Sequence, residues 1–194
     1  MTFNYLIAGV GGQGTVLASK LIAAAAMKRG YEVRTTETIG MAQRGGSVVS
    51  HVRIGQQIFS PLLPLGSAQA MIAFEPAEAA RCLPYLAAQG TLIVCDAPVK
   101  PIGDFRAAIP YEAGAMLDYL RGKVENIIII CGQPIKERYA KMLNVALLGA
   151  AAKSGVFPFD AAALRETIEE MPRFREENLK SFELGGKLYH EHSV

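Results

Sequence analysis

The sequence has few cysteines, no strong excess of either charge and no long apolar run. Its three cysteines are Cys82, Cys95 and Cys131, and no two of them form a C-x-x-C pair. We therefore expect no iron–sulfur cluster or zinc site made by this chain alone, and no metal site. The odd count and the apolar neighbours of Cys95 and Cys131 indicate reduced, buried thiols in a cytoplasmic protein.

Charge and hydropathy exclude two further classes. Lysine and arginine number 20 against 18 acidic residues, a net charge of +2. This balance lacks the basic footprint of a nucleic-acid-binding protein, so we expect no nucleic-acid partner. No apolar segment approaches the length of a membrane span, and the first residues lack the basic region of a signal peptide, so we expect no membrane association.

Short apolar runs alternate with helical patterns along the chain. Strands are predicted over residues 5–10, 31–36, 70–74, 90–96 and 126–131, and helices over 15–29, 76–86, 113–121, 135–153, 161–171 and 174–184. Residues 47–54 and 56–59 are predicted to form a hairpin around Gly55. The pattern indicates an α/β fold: a Rossmann-like, mostly parallel sheet with helices on both faces and C-terminal helices. The hairpin insertion near 47–60 is expected to project from, or extend, the sheet edge. We expect a single domain, 1–194, with a helical C-terminal extension at about 160–191.

A glycine-rich turn joins the first predicted strand to the first helix. Gly9, Gly11, Gly12, Gln13 and Gly14 lie in a G-x-G-x-x-G pattern. The pattern follows a predicted strand and opens a predicted helix, which is the context in which this motif is informative. Such a turn can bring backbone N–H groups to a phosphate at the helix start. Alternatively, the glycines permit a tight crossover and bind nothing. Glu37 has roughly the expected spacing for a ribose-binding acid, and the Gln13 amide would face the crevice.

A second unusual segment contains Gln43, Arg44, Gly45, Gly46 and Ser47. An arginine beside two glycines can bind a carboxylate or phosphate through two parallel hydrogen bonds. The competing interpretation is a solvated loop arginine.

The remaining polar residues that could carry chemistry fit structural roles better than catalytic ones. Ser50 and His51 suggest a hydrolase, but no nucleophile elbow or orienting acid accompanies them. Asp96 follows a strand, where capping is the favoured role. His190 and His192 indicate a frayed end rather than a metal site.

Three segments together resemble one family, the gamma-type subunit or domain of 2-oxoacid:ferredoxin oxidoreductases (the pyruvate ferredoxin/flavodoxin oxidoreductase family). The similarity is greatest to beta subunits of the indolepyruvate type. The segments are residues 6–14, 40–53 and 173–185, and the resemblance covers nearly the whole chain.

The resemblance implies a heteromeric enzyme that oxidatively decarboxylates a 2-oxoacid, such as an aryl pyruvate, to an acyl-CoA. Coenzyme A would be the co-substrate and ferredoxin the electron acceptor. Thiamine diphosphate and [4Fe–4S] clusters would belong to a large alpha subunit. This chain has no G-D-G thiamine diphosphate motif, since its one Gly-Asp pair, Gly103-Asp104, is followed by Phe105.

The chain is therefore expected to be inactive alone, to supply no catalytic residue and to complete the partner's site, with a homodimer contact also possible. Ligand binding or completion of the active site is assigned to Gly9, Gly11, Gly12, Gln13, Gly14, Gln43, Arg44, Gly45, Gly46 and Ser47.

Two other functions fit parts of the sequence. The G-x-G-x-x-G pattern with Glu37 fits a stand-alone dinucleotide-binding redox module. The small-residue stripe predicted on the helix at 135–153 fits a scaffold protein. A stand-alone redox module would bind NADH, NADPH or FAD without a partner subunit. In a scaffold protein, Arg44 would contact no ligand.

Overall fold

The computed structural model describes residues 1–39, 45–99, 111–139 and 141–191. The strands are β1 (Thr2–Val10), β2 (Glu32–Ile39), β3 (Ser47–Gly55), β4 (Ala68–Ala73), β5 (Leu86–Cys95) and β6 (Asn126–Ile130). The α-helices are α1 (Thr15–Lys28), α2 (Pro76–Cys82), α3 (Ala113–Arg121), α4 (Gln133–Tyr139), α5 (Leu143–Lys153), α6 (Ala161–Glu169) and α7 (Arg175–Glu191).

The six strands form one sheet in the order β2-β3-β1-β4-β5-β6. The pairs β1–β4, β4–β5 and β5–β6 are parallel, whereas β3 is antiparallel to both β1 and β2. Helices α1, α5, α6 and α7 pack on one face, and α2 and α3 on the other. Residues 4–10 of β1 are all buried, as expected of a strand covered on both faces. The predicted Rossmann-like α/β class is confirmed.

The predicted hairpin at 47–60 is wrong. Strand β3 does not extend an edge but lies between β1 and β2, with Ser50 opposite both Ile7 and Glu37. Residues 56–60 form no strand. Val48, Val49, Ser50, His51 and Val52 are consecutive buried residues, a pattern that requires cover on both faces and therefore an interior position.

The long helix predicted over residues 135–153 is two helices. Helix α5 is buried on all sides from Leu143 to Ala151, whereas α4 buries only Ile135. A straight extension of α5 towards residue 135 would carry Lys136 and Arg138 into this buried layer, where unpaired charges are costly. The predicted helix over 76–86 is also shorter, because a 3₁₀ turn containing Pro84 follows α2.

Helix α7 continues through Gly185 and Gly186, where the sequence predicted its end. A Cβ atom on Gly185 would overlap the carbonyl oxygen of Ala146, and one on Gly149 would overlap the carbonyl oxygen of Phe182. Gly149 and Gly185 therefore allow α5 and α7 to pack backbone to backbone, so Gly185 is a packing position rather than a helix end.

Strand β3 also carries a buried histidine that fixes a neighbouring loop. His51 is 3% exposed; its Nδ1 accepts a hydrogen bond from the Leu63 backbone N–H at 3.2 Å, and its ring packs edge-on against Tyr85. Burial lowers the pKa of His51 below its ordinary value of 6.5.

Because its pKa is lower in the folded state, His51 binds protons more readily in the unfolded chain. We expect the free energy of unfolding to fall as the pH drops below about 6.5. Urea unfolding between about pH 8 and about pH 5 measures this loss. In His51→Asn, whose amide oxygen can replace the Nδ1 acceptor, this component of the pH dependence disappears; an unchanged slope would contradict the assignment.

Candidate functional site

The carboxyl ends of β1 and β4 define a crevice at one edge of the sheet. Strand β1 leads into α1 on one face, and β4 leads into α2 on the opposite face. Adjacent parallel strands whose connections leave in opposite directions form a topological switch point, where open α/β sheets bind ligands. The predicted glycine turn ends β1 and therefore lies at this crevice.

The glycine turn needs its glycines for two different reasons. Gly12 and Gly14 have φ values of 97° and 81°, in the left-handed region that side chains disfavour. A Cβ on Gly9 would lie 2.9 Å from Gln13 Oε1 and 3.2 Å from the Phe74 ring, and a Cβ on Gly14 would overlap the Asn144 amide. Gly14 also N-caps α1 without a side-chain hydrogen bond, which leaves backbone donors at the helix start.

Gln13 joins the two strands of the crevice. Its Oε1 accepts a hydrogen bond from the Val10 N–H at 2.7 Å, and its Nε2 donates to the Phe74 carbonyl at 3.1 Å. Both ends of the amide are occupied by backbone partners. The side chain therefore holds the end of β1 against the end of β4.

The second glycine segment lies against the first. The Gly11 N–H donates to the Gly46 carbonyl at 2.8 Å, and Gly45 has a φ of 79°. Because β3 runs antiparallel to β1, its first residue, Ser47, is paired with Val10 at the carboxyl end of β1. The structure thus brings both predicted segments to one edge. Gln43 and Arg44 lie outside the described residues.

Charged side chains beside this edge were not predicted as site residues. The Ser47 hydroxyl donates to Glu78 Oε2 at 2.6 Å, and Arg81 bonds to both groups. Glu75, only 2% exposed, follows β4 and accepts hydrogen bonds from the Glu78 N–H at 3.0 Å and the Tyr111 hydroxyl.

Burial and the bond to Glu75 raise the pKa of Tyr111, so its hydroxyl remains a donor. The signal in the sequence was the position of Glu75, directly after a buried strand. The two glutamates make the α2 side of the crevice less favourable to anions than the uncapped start of α1.

Glu37 does not occupy the position of a ribose-binding acid. Strand β3 separates β2 from β1, and the Glu37 carboxylate accepts a hydrogen bond from Ser19 of α1 at 3.3 Å. In a dinucleotide-binding unit the acid-bearing strand adjoins the glycine-turn strand. The inserted antiparallel strand therefore argues against a dinucleotide site of that type.

Asp96 lies at the same edge, after β5. Its Oδ1 accepts a hydrogen bond from the Gly132 N–H at 2.7 Å, so it caps the turn that follows β6. A cavity of about 520 Å³ opens beside it, lined by Asp96, Ala97, Pro98, Cys131, Gln133, Lys136 and Glu137. Asp104 and His192 lie outside the described residues, and His190 falls within α7.

The cysteines are poorly suited to ligate a metal. Burial raises the pKa of Cys82 to about 11 and that of Cys95 to about 12, so both thiols stay protonated near neutral pH. Within the described ranges, His, Cys, Asp and Glu side chains form no group of three that could hold a metal ion. Helices in that part of the chain include none long and apolar enough to span a bilayer.

The topology and the paired glycine segments define an α/β protein with a Rossmann-like crevice at the carboxyl edge of its parallel strands. The chain belongs to the family described as pyruvate ferredoxin/flavodoxin oxidoreductase, whose family model matches residues 4–188.

Two curated relatives illustrate the similarity, and both are named indolepyruvate oxidoreductase subunit IorB. The Pyrococcus horikoshii protein is 33% identical, covering 97% of this chain and 96% of its own length. The Archaeoglobus fulgidus protein is 37% identical, and the match covers 95% of this chain and 94% of that protein's length.

Solved structures share the fold. The keto/oxoacid ferredoxin oxidoreductase gamma subunit from Geobacter sulfurreducens has a TM-score of 0.68 at 21% identity, covering 97% of this chain and 99% of its own. The 2-oxoglutarate:ferredoxin oxidoreductase from Magnetococcus marinus, solved with 2-oxoglutarate, coenzyme A and succinyl-CoA bound, has a TM-score of 0.69 at 22% identity. That match covers 98% of this chain but 31% of the longer one.

Proposed function

We propose that this chain is the smaller subunit of a heteromeric 2-oxoacid:ferredoxin oxidoreductase of the indolepyruvate type. The enzyme would oxidatively decarboxylate an aryl pyruvate to the corresponding acyl-CoA, releasing carbon dioxide and passing electrons to ferredoxin. Family membership and the names of the curated relatives support this proposal. The single observation that supports the role of this chain is the contact of Gly11 with Gly46, which joins two glycine segments at one crevice.

Thiamine diphosphate and [4Fe–4S] clusters are assigned to a large partner subunit. Bound there, thiamine diphosphate would supply the electron sink for decarboxylation, and the clusters would supply the electron acceptors. The residues of this chain do not fit a cluster, because Cys82 and Cys95 are buried on separate core faces with raised pKa values. No chemical step is therefore assigned to a side chain of this subunit.

The role assigned to this chain is to complete the partner's site and bind an anionic group, either the coenzyme A phosphates or the 2-oxoacid carboxylate. The uncapped start of α1 supplies backbone donors and the positive end of the helix dipole. Gln13 keeps β1 and β4 together, and the Ser47–Glu78–Arg81 group fixes the start of β3 beside them. Gln43 and Arg44 remain proposed ligand contacts. We also propose a single cytoplasmic domain with no nucleic-acid partner.

Reconstitution with the large subunit of the same organism tests the proposal. We expect anaerobic, coenzyme A-dependent reduction of ferredoxin by indolepyruvate to require both chains, with background activity for either alone. Full activity of the large subunit without this chain would contradict the proposal. Saturable binding of NADH, NADPH or FAD to the isolated chain at sub-millimolar concentration would instead support the stand-alone redox module.

The same complex measures the contribution of Arg44. We expect Arg44→Ala to lower kcat/KM by roughly five- to 150-fold, or about 1–3 kcal/mol, because a charge-assisted bond to the ligand is lost. Arg34→Ala is the matched control, since Arg34 is an exposed β2 arginine paired with Glu32. Unchanged kinetics for both variants would favour a scaffold role.

A further inference from the structure

The loop between β3 and β4, residues 56–67, exposes large apolar side chains on an ordered backbone. Phe59 is 88% exposed, Leu65 68% and Leu62 57%. The loop contains no charged residue in its twelve positions. It follows β3, whose last residue Gly55 is paired with Thr2 at the start of β1. The loop therefore lies at the amino edge of the parallel strands, opposite the glycine crevice.

Polar side chains of β3 hold the loop backbone in place. His51 accepts a hydrogen bond from the Leu63 N–H, and the Arg53 guanidinium donates to the Ser60 carbonyl at 2.9 Å and the Leu62 carbonyl at 3.4 Å. Arg53 is itself bonded to Asn4 at 3.0 Å. The exposed side chains therefore lie on a backbone anchored to the sheet at several points.

The same loop buries its other apolar side chains. Ile58 is 4% exposed and Leu63 is 5% exposed, so each lies within the core beside an exposed neighbour. The Ser67 hydroxyl donates to the Pro64 carbonyl, and the Gly66 N–H donates to the Pro84 carbonyl at 2.9 Å. A loop fixed in this way presents its apolar side chains with little ordering entropy left to lose on binding.

The area of this surface distinguishes between possible occupants. At roughly 150 Å² for each fully exposed large apolar side chain, the exposed fractions of Phe59, Leu62 and Leu65 present on the order of 300 Å². A stable interface needs about 800 Å² from each partner, so two copies joined through this loop alone would bury less than half the requirement. The lack of basic residues in the loop also removes the electrostatic attraction that assists binding to an anionic membrane surface. A larger protein that also contacts further surface of the chain would meet the area requirement.

We propose that residues 56–67 dock into an uncharged, apolar groove on the large subunit, with Phe59 and Leu65 as anchors. This inference rests on the proposed function, which supplies the large subunit. Docking at the amino edge leaves the glycine crevice at the carboxyl edge free to take part in the active site.

Affinity measurements on the two purified subunits test the interface. We expect Phe59→Ser and Leu65→Ser each to weaken the complex by roughly thirtyfold or more, as is typical of a buried apolar anchor. Met27→Ser is the matched control, because Met27 is 57% exposed on α1, and it should leave the affinity unchanged. Thermal unfolding of the isolated variants should match the parent chain, because both side chains are exposed.

The outcomes separate this interface from the proposed function. If the parent chain forms no complex with the large subunit, the proposed function and the interface both fail. If it forms one and the Phe59 and Leu65 variants bind equally tightly, the interface alone is overturned. The same holds if those variants abolish a dimer of the isolated chain, or its flotation with phosphatidylcholine–phosphatidylglycerol vesicles, while large-subunit affinity is unchanged.

Discussion

Replacing Gly185 by alanine is expected to lower the free energy of unfolding by about 2–4 kcal/mol, although alanine is the better helix former. Helix α7 crosses α5 so closely at this point that an added methyl group would overlap the Ala146 carbonyl oxygen. The neighbour is backbone and cannot rotate away, so the two helices must separate. Urea unfolding measures the lost free energy, and thermal unfolding should show a fall in Tm of roughly 5–15 °C.

The adjacent glycine provides the control. A Cβ on Gly186 would lie 3.7 Å from the Gly149 carbonyl oxygen, an ordinary contact distance. Gly186→Ala should therefore raise stability by about 0.5–1 kcal/mol through helix propensity alone. Equal effects of the two substitutions would show that α5 and α7 do not pack backbone to backbone at Gly185.

Gly14→Ala is the second change with a large expected effect, about 3 kcal/mol of destabilisation. Part of the cost, about 1–2 kcal/mol, comes from placing a side chain in the left-handed conformation with a φ of 81°. The rest comes from overlap with the Asn144 side chain of α5, whose amide donates to the Gly14 carbonyl at 3.2 Å. In the complex, the same variant should lower kcat/KM, because it moves the start of α1.

A double-mutant cycle separates the two costs. Asn144→Ala alone should lose about 1 kcal/mol with its hydrogen bond. In that background Gly14→Ala should cost only the conformational part, about 1–2 kcal/mol, so the two changes would be less than additive. Strict additivity would mean that the amide does not obstruct position 14. Equilibrium unfolding of the four proteins gives the comparison.

Local patterns in the sequence predicted most of the elements. Buried strands such as β1 and the amphipathic α3 follow from periodicity. Helix α6 begins after a residue of the preferred N-cap type, Asp160, which accepts from the Ala163 N–H at 3.0 Å. The errors arose where tertiary packing decides. Periodicity cannot tell whether β3 pairs with the residues after it or with β2 before it. The Gly185–Gly186 pair predicts a helix end, and only the position of α5 shows why α7 continues through it.

The candidate site was predicted in part for the same reason. Glycine spacing identified both segments, and their meeting through Gly11 and Gly46 follows from the antiparallel direction of β3. The roles of Gln13 and Glu75 depend on contacts between strands distant in sequence, such as the bond from Gln13 to Phe74. Glu37 illustrates an error of the opposite kind. Its spacing matched that of a ribose-binding acid, but β3 lies between β2 and β1 and keeps Glu37 away from the glycine turn.

The Gly11–Gly46 contact lies at one end of a nine-residue antiparallel ladder that begins at Thr2 and Gly55. A slip of β3 by one residue would turn His51 towards α1 and Ser50 towards α2, and a slip by two would separate the glycine segments while preserving the core pattern. Misfolded chains of that second kind would remain compact and well packed yet lack a formed crevice. Assembly of this edge is therefore a sensitive indicator of correct strand alignment, more so than the overall stability of the molecule.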